Sequence, residues 1–390
     1  MRKRAIAIFL LGFMLYFAGS MTLIPESHQP ANATASSILS QGDDPILIIG
    51  NSELSQSSSG GVGTRSEPYL ISGLTISSTG TCISIQDTTA FFIILDCDLE
   101  STTRTVSVVI FNNVEHGIIE NCYIEGGLNG AYLLLSTDCT VKDSTFLDNS
   151  NGIQLDRSEN CTISDCNSFS NTVGILISNS RSTTVVNSSI YSNSMRGISI
   201  ILYSEDTTIF QNNIGWNTFN AFNDANTTEF TNGIDTGNAW SDYQGLGNYE
   251  IPGSFPVIDI FATVLSDTQS PAIDSPLDKV FDVESYGETL TWMASDDFAL
   301  SYILYIDDVS QGSEPWDGRE ITISLDTLST GTHMFVLTVF DASINEASDG
   351  VEVTAVSFML GGIGTELVMW SSALTVAILV LVVVIAKKMP

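Results

Sequence analysis

The sequence predicts an all-β chain: a parallel β-helix over residues 45–255, a β-sandwich over 271–357 and a transmembrane helix over 367–386. Three observations predict it. A phrase of the form Asn-x-x-Gly-Ile followed by Thr-Ile/Val-x-Asp/Asn-Cys/Ser returns every 22 residues, with Gly130, Gly152 and Gly174 in step. After Pro256 the step stops and short alternating strands replace it. Near the end, Leu367 to Ala386 carries no charge and Lys387-Lys388 follow at once.

Taken in order, Arg2, Lys3 and Arg4 precede the apolar run Ala5 to Ala18, and Ala18, Gly19 and Ser20 close it, the pattern of a secretory signal peptide over 1–20. A linker over 21–44 leads to the repeats. A period near 22 residues, with two-residue alternation as in Gly152-Ile153-Gln154-Leu155, describes one turn of three short strands stacked on itself. A leucine-rich repeat shares the period but needs a fixed leucine frame, and these apolar slots are mostly Ile, Val and Phe. Stacking puts Asp96, Asn121, Asp143, Asp165 and Asn187 in one column and Cys97, Cys122, Ser144, Cys166 and Ser188 in the next. The first column is expected to form a ladder of side-chain hydrogen bonds at a bend. Copies around Asp96, Asn121 and Gln211 differ in length, which predicts loops bulging from one corner.

A linker over 256–270 precedes strands expected at Thr289 to Met293, Ser301 to Asp307, Glu320 to Leu325, His333 to Phe340 and Val351 to Val356. So many short strands in about 90 residues suggest an immunoglobulin- or fibronectin-like sandwich, with Trp292 and Trp316 in its core. A short linker over 358–366, the membrane helix and a cytoplasmic tail over 387–390 complete the chain. The sandwich reads as a stalk lifting the β-helix from the membrane, with the ectodomain outside the cell.

The coils, the entry phrase Gly63-Thr64-Arg65-Ser66-Glu67-Pro68-Tyr69-Leu70-Ile71 and the exit phrase Gly237-Asn238-Ala239-Trp240-Ser241-Asp242-Tyr243 carry a family resemblance. They resemble the right-handed β-helix proteins of the NosD-like and carbohydrate-binding, sugar-hydrolase (pectate-lyase-like) group, common on archaeal surfaces. The resemblance implies a right-handed coil and a surface location, and it is weak for activity because this repeat serves lyases, epimerases, accessory proteins and scaffolds. Relatives often continue with an acidic Asp-Gly segment; here Gln244-Gly245-Leu246-Gly247-Asn248-Tyr249 replaces it, which puts that segment's ion site in doubt.

Composition excludes one class of partner. With 45 acidic against 13 basic residues, a formal net charge of −32 repels nucleic-acid phosphates. Sequons at Asn32, Asn160 and Asn226 are candidate glycosylation sites, whereas Asn187 sits in the corner column with its amide expected to be engaged. All six cysteines lie in the coils and are expected as buried thiols, since in-register neighbours give poor disulfide geometry. The histidines, His28, His116 and His333, make no copper set with them. No cofactor is expected, calcium alone staying open.

Asp143 and Asp165, one coil apart at about 4.8 Å, approach the spacing of a retaining glycosidase pair. With Arg157 and Arg181 near one corner, they are the residues an enzyme would use. No further catalytic motif accompanies them, so the preferred expectation is a non-catalytic surface scaffold for glycans or envelope proteins. A polysaccharide lyase or hydrolase and a NosD-like accessory factor for a membrane complex are the alternatives. Trp216, Trp240 and Tyr243 in the terminal coils are the candidate sugar-stacking residues, and their competing role is to cap the open end of the solenoid.

Overall fold

A computed structural model describes residues 43–357. The expected signal peptide, the membrane helix with its tail, and Asn32 lie outside those residues. Among the described residues no helix is long and apolar enough to cross a membrane.

Residues 46–264 wind into a parallel β-helix of three sheets with eight, eight and nine strands, each new coil adding one strand to each sheet in sequence order. The 22-residue step is the strand register: Ala131 opposes Ile153 and Ile153 opposes Ile175, Thr140 opposes Thr162 and Thr162 opposes Thr184. Alternation sends Ile153, Leu155, Ile163 and Phe146 inward, where each is fully buried. Stacked in register they form one apolar core running from Ile48 to Ile251. Gly152 is required by close approach: a β-carbon there would stand 2.4 Å from Ser168 Oγ and 2.6 Å from the Gly174 carbonyl.

The corners explain the polar columns. Asp96, Asn121, Asp143, Asp165, Asn187 and Gln211 all take left-handed backbone, with φ between 50° and 59°. Asp and Asn tolerate that conformation because a short polar side chain can bond locally. The side-chain ladder expected in this column is represented by one bond, Asn121 Nδ2 to Asp96 Oδ1 at 2.6 Å. Most of the column faces solvent, and the ladder runs one residue later, inside. There the Cys122 amide donates to Ser144 Oγ, that of Cys166 to Ser188 Oγ, that of Ser188 to Asn212 Oδ1 and that of Asn212 to Asn238 Oδ1. A second buried ladder links Asn149, Asn171, Asn193 and Asn217, each backbone amide donating to the next coil's side-chain oxygen at 2.9–3.0 Å.

Three expectations need correction. The extra residues do not share a corner: one loop spans 102–108 between the third and first sheets, while single insertions fall near Ser194 and near Tyr203, on two different corners. A helix, Gly50–Ser57, follows the first strand and buries Leu54 completely in the core. The solenoid also runs past residue 255. Val257–Asp259 pairs with Tyr249–Ile251, and Thr263–Val264 extends the nine-stranded sheet beyond Ala239–Trp240, so the connecting segment begins after Leu265 rather than at 256. Asp259, fully buried, ends the inner ladder by accepting from the Asn238 amide at 2.8 Å and the Trp240 indole at 3.0 Å.

The second unit has a five-stranded sheet, in the order Lys279–Asp282, Glu346–Val356, Gly331–Asp341, Ala299–Ile306, Val309–Pro315. The antiparallel pair Thr289–Trp292 and Ile321–Ser324 shares its core. Trp292 and Trp316 are buried there as expected, and each indole is satisfied, by Asp349 and by the Arg319 carbonyl, both at 2.8 Å. The unit packs on the solenoid through Phe298, which lies 5.6 Å from the Tyr191 ring and 5.0 Å from Trp216. The Tyr191 hydroxyl donates to the Ala299 carbonyl at 2.9 Å across that contact.

Candidate functional site

The replacement segment Gln244–Tyr249 folds over the last coils and shapes a groove of about 590 Å³. The turn is set locally: Gly245 and Gly247 take positive φ, and the Tyr243 hydroxyl donates to the Gly247 carbonyl at 2.5 Å. Tyr243 and Phe219 give the groove apolar surface, with Phe219 56% exposed, and Leu246 stands at its rim. Its polar groups are fixed by one another. Asp242 accepts from Asn220 at 2.7 Å and from the Tyr249 hydroxyl at 3.2 Å. Burial, and then the neighbouring Asp242, pushes the Tyr249 hydroxyl above its ordinary range, keeping it a donor.

Of the three aromatics expected here, Tyr243 alone lines the groove. Trp240 is fully buried, stacked on Tyr249 at 4.1 Å between ring centres, with its indole bonded to Asp259. It closes the end of the core, because an uncovered last coil would leave apolar side chains and strand edges in water. Trp216 is half-buried and lies against Phe298 of the second unit. Phe219 and Tyr249 were missed from the sequence because the groove is made by a fold-back, which repeat spacing does not encode.

A second concavity, about 460 Å³, is acidic. Asp96, Asp98 and Asp143 face Asp317 and Arg319 of the second unit across it. Arg319 lies 3.8 Å above the Tyr123 ring and is held by Asp317 at 2.5 Å. Burial raises Asp98 while Arg319 pulls it back, and nearby Glu125 is pushed up to about 7 by burial, then by Glu100, Asp98 and Asp148.

The four catalytic candidates do not converge. Asp143 and Asp165 are exposed at the bend after the second-sheet strands, and Asp143 has Lys142 Nζ 3.8 Å away. Arg157 and Arg181 lie at the other end of those strands, and two residues separate their columns: Arg181 bridges Glu159 and Glu205, whereas Arg157 precedes that line. Each has a local acid, Arg157 with Asp156 at 3.0 Å and Arg181 with Glu205 at 4.0 Å. Asn160 and Asn226 are exposed, and the Asn160 amide is tied to Asp138. Asn187, expected to be engaged, is exposed at its left-handed corner.

All six cysteines are buried free thiols. They point at backbone carbonyls, as Cys166 Sγ does to Ser164 at 3.2 Å, and burial pushes Cys82 and Cys166 up to about 12. Buried in the coil interior and directed at backbone carbonyls, the thiols have, among the described residues, no His or carboxylate beside them to complete a metal site. Among the described residues, the one cluster of three or more groups able to share a metal is Asp267, Asp296 and Asp341, all oxygen donors. Copper favours imidazole and sulfur, so these residues do not fit copper.

Residues 96–245 match the family model described as periplasmic copper-binding protein (NosD). No curated protein sequence matches the chain. Among solved structures, a fibronectin(III)-like module of Clostridium thermocellum CbhA is similar at 16% identity over 22% of this chain and 96% of that one, with a TM-score of 0.18. Pectate lyase Pel9A is similar at 13% identity over 44% and 51%, with a TM-score of 0.26. The catalytic domain of a GH87 α-1,3-glucanase in complex with nigerose is similar at 11% over 46% and 43%, with a TM-score of 0.21. The chain thus spans about half the length of these two enzymes, and scores this low carry no argument about activity.

Proposed function

We propose that the chain is a non-catalytic surface protein that retains polysaccharide in the groove over its last coils. The observation that carries this reading is the groove itself: an exposed Phe219 and a Tyr243 edge beside prearranged Asn220, Asp242 and Tyr249. Sugar rings present one apolar face and a rim of hydroxyls, and aromatic surface beside fixed donors and acceptors suits both. The same reading has an N-terminal export signal, an immunoglobulin-like stalk and a membrane anchor that holds the ectodomain outside. The NosD match, to a family described as periplasmic, supports export.

The lyase or hydrolase alternative is disfavoured by the dispersal of Asp143, Asp165, Arg157 and Arg181 over two corners. An accessory role in copper delivery is disfavoured by the sealed thiols. The test is to incubate the purified full-length chain with neutral and acidic polysaccharides, with and without calcium, following retention and product release. Retention without products, weakened at least tenfold by Tyr243→Ala with Phe219→Ala while circular dichroism is unchanged, is the expected outcome. Unsaturated or shortened products would make the protein an enzyme.

A further inference from the structure

Three aspartates far apart in sequence meet where the chain leaves the solenoid. Asp267 lies in the connecting segment, Asp296 follows the strand Ala294–Ser295, and Asp341 ends the strand Gly331–Asp341. One oxygen of each lies within 4.8 Å of the other two. Asp341 is 0% exposed, and what it accepts comes from neutral Asn345, the backbone amide and the side-chain amide both at 2.8 Å. Among the described residues no Lys, Arg or His forms an ion pair with any of the three. A second observation is independent of the clustering: Asp267 Oδ2 is completely buried and accepts no hydrogen bond, and Ser343 Oγ, two residues past Asp341, is buried and unbonded too.

Carboxylates at this separation, one fully buried and two half-buried, repel one another, and an unbonded buried oxygen adds its own desolvation cost. A divalent cation reverses both terms. Oxygen-only donors exclude the softer transition metals as the preferred occupant. Calcium accepts oxygens at about 2.3–2.6 Å in flexible geometry, so oxygens on opposite sides of it stand about 5 Å apart, while magnesium needs a tighter octahedron. We infer that Asp267, Asp296 and Asp341 form a calcium site that ties the connecting segment to the second unit. The inference is independent of the polysaccharide reading. Asp296 lies two residues before Phe298, whose ring packs against Tyr191 and Trp216, so the ion would fix the segment that carries this contact.

The test uses the purified full-length chain, stripped with EDTA and dialysed. Equilibrium dialysis against radioactive calcium reads stoichiometry above the background of the acidic surface, and limited proteolysis reads cleavage over 266–271. Because Asp341 is buried and its replacement could unfold the unit, the variants are Asp267→Asn and Asp296→Asn, which preserve shape. The expected result is one saturable site with a Kd of about 0.1–1 mM, the range of extracellular calcium modules. Calcium should slow cleavage at least tenfold where equal magnesium does not, and each variant should weaken binding at least tenfold. Failure of the stripped wild-type chain to bind saturably, or equal binding by both variants, would overturn the assignment.

Discussion

Asn171 shows how much one residue type does in this molecule. Its side-chain oxygen accepts from the Asn149 backbone at 2.9 Å, and its amide donates to the Phe146 carbonyl at 3.0 Å and to Asn193 Oδ1 at 3.1 Å. Alanine would leave those groups buried and unsatisfied, at about 1–3 kcal/mol each. Asn171→Ala should therefore lower stability by about 3 kcal/mol in urea unfolding of the purified chain, and a loss below about 1 kcal/mol would mean that the ladder is not cooperative. The Asn at this position was visible in the repeating phrase, but its partners were not. Spacing says which residues stack; it does not say which of two adjacent polar columns turns inward, and backbone handedness at Asp143 and Asp165 decides that.

At the scale of the element, the coil was legible because its register equals its sequence period. Asn129, Asn151 and Val173 are successive partners, as are Thr145, Asn167 and Ser189. Removing residues 151–172 takes out one such period and joins Ser150 to Val173, which already follows it in register. That deletion should leave a folded chain with unchanged circular dichroism per residue, whereas removing 151–161 should abolish soluble expression, since half a period puts inward residues out of step. Equal behaviour of the two deletions would refute this account. The parts that were not legible, the helix Gly50–Ser57 and the fold-back over the groove, depart from the period and are set by tertiary packing; the extra length that makes the loop at 102–108 was legible, but the corner from which each insertion leaves was not.

For the whole molecule, the contact between the two units was the least legible feature. Leu147, Phe169 and Tyr191 are spaced by the repeat just as the core residues are, yet with Phe298 and Ala342 they form a separate apolar cluster outside the solenoid's interior. Alternation alone cannot tell an inward face from an outward one covered by another unit. Phe298→Ala removes the central ring of this cluster, a change of about 3–5 kcal/mol for a well-packed phenylalanine. Chymotrypsin, for which Leu265 and Leu277 flank the connecting segment, should then cut between the units at least tenfold faster, with both fragments still folded; an unchanged rate would show that the interface is held elsewhere. The acidic aspartate trio at the same junction escaped notice for a similar reason, since Asp267, Asp296 and Asp341 share no motif.

The sealed thiols have a consequence for where and how this protein can be made. With Cys82, Cys97, Cys122, Cys139, Cys161 and Cys166 all buried and unpaired, the native state itself needs no oxidant. The unfolded chain exposes all six thiols, so an oxidising compartment can pair them wrongly before the coils close, and refolding yield should be higher with a thiol reductant than without.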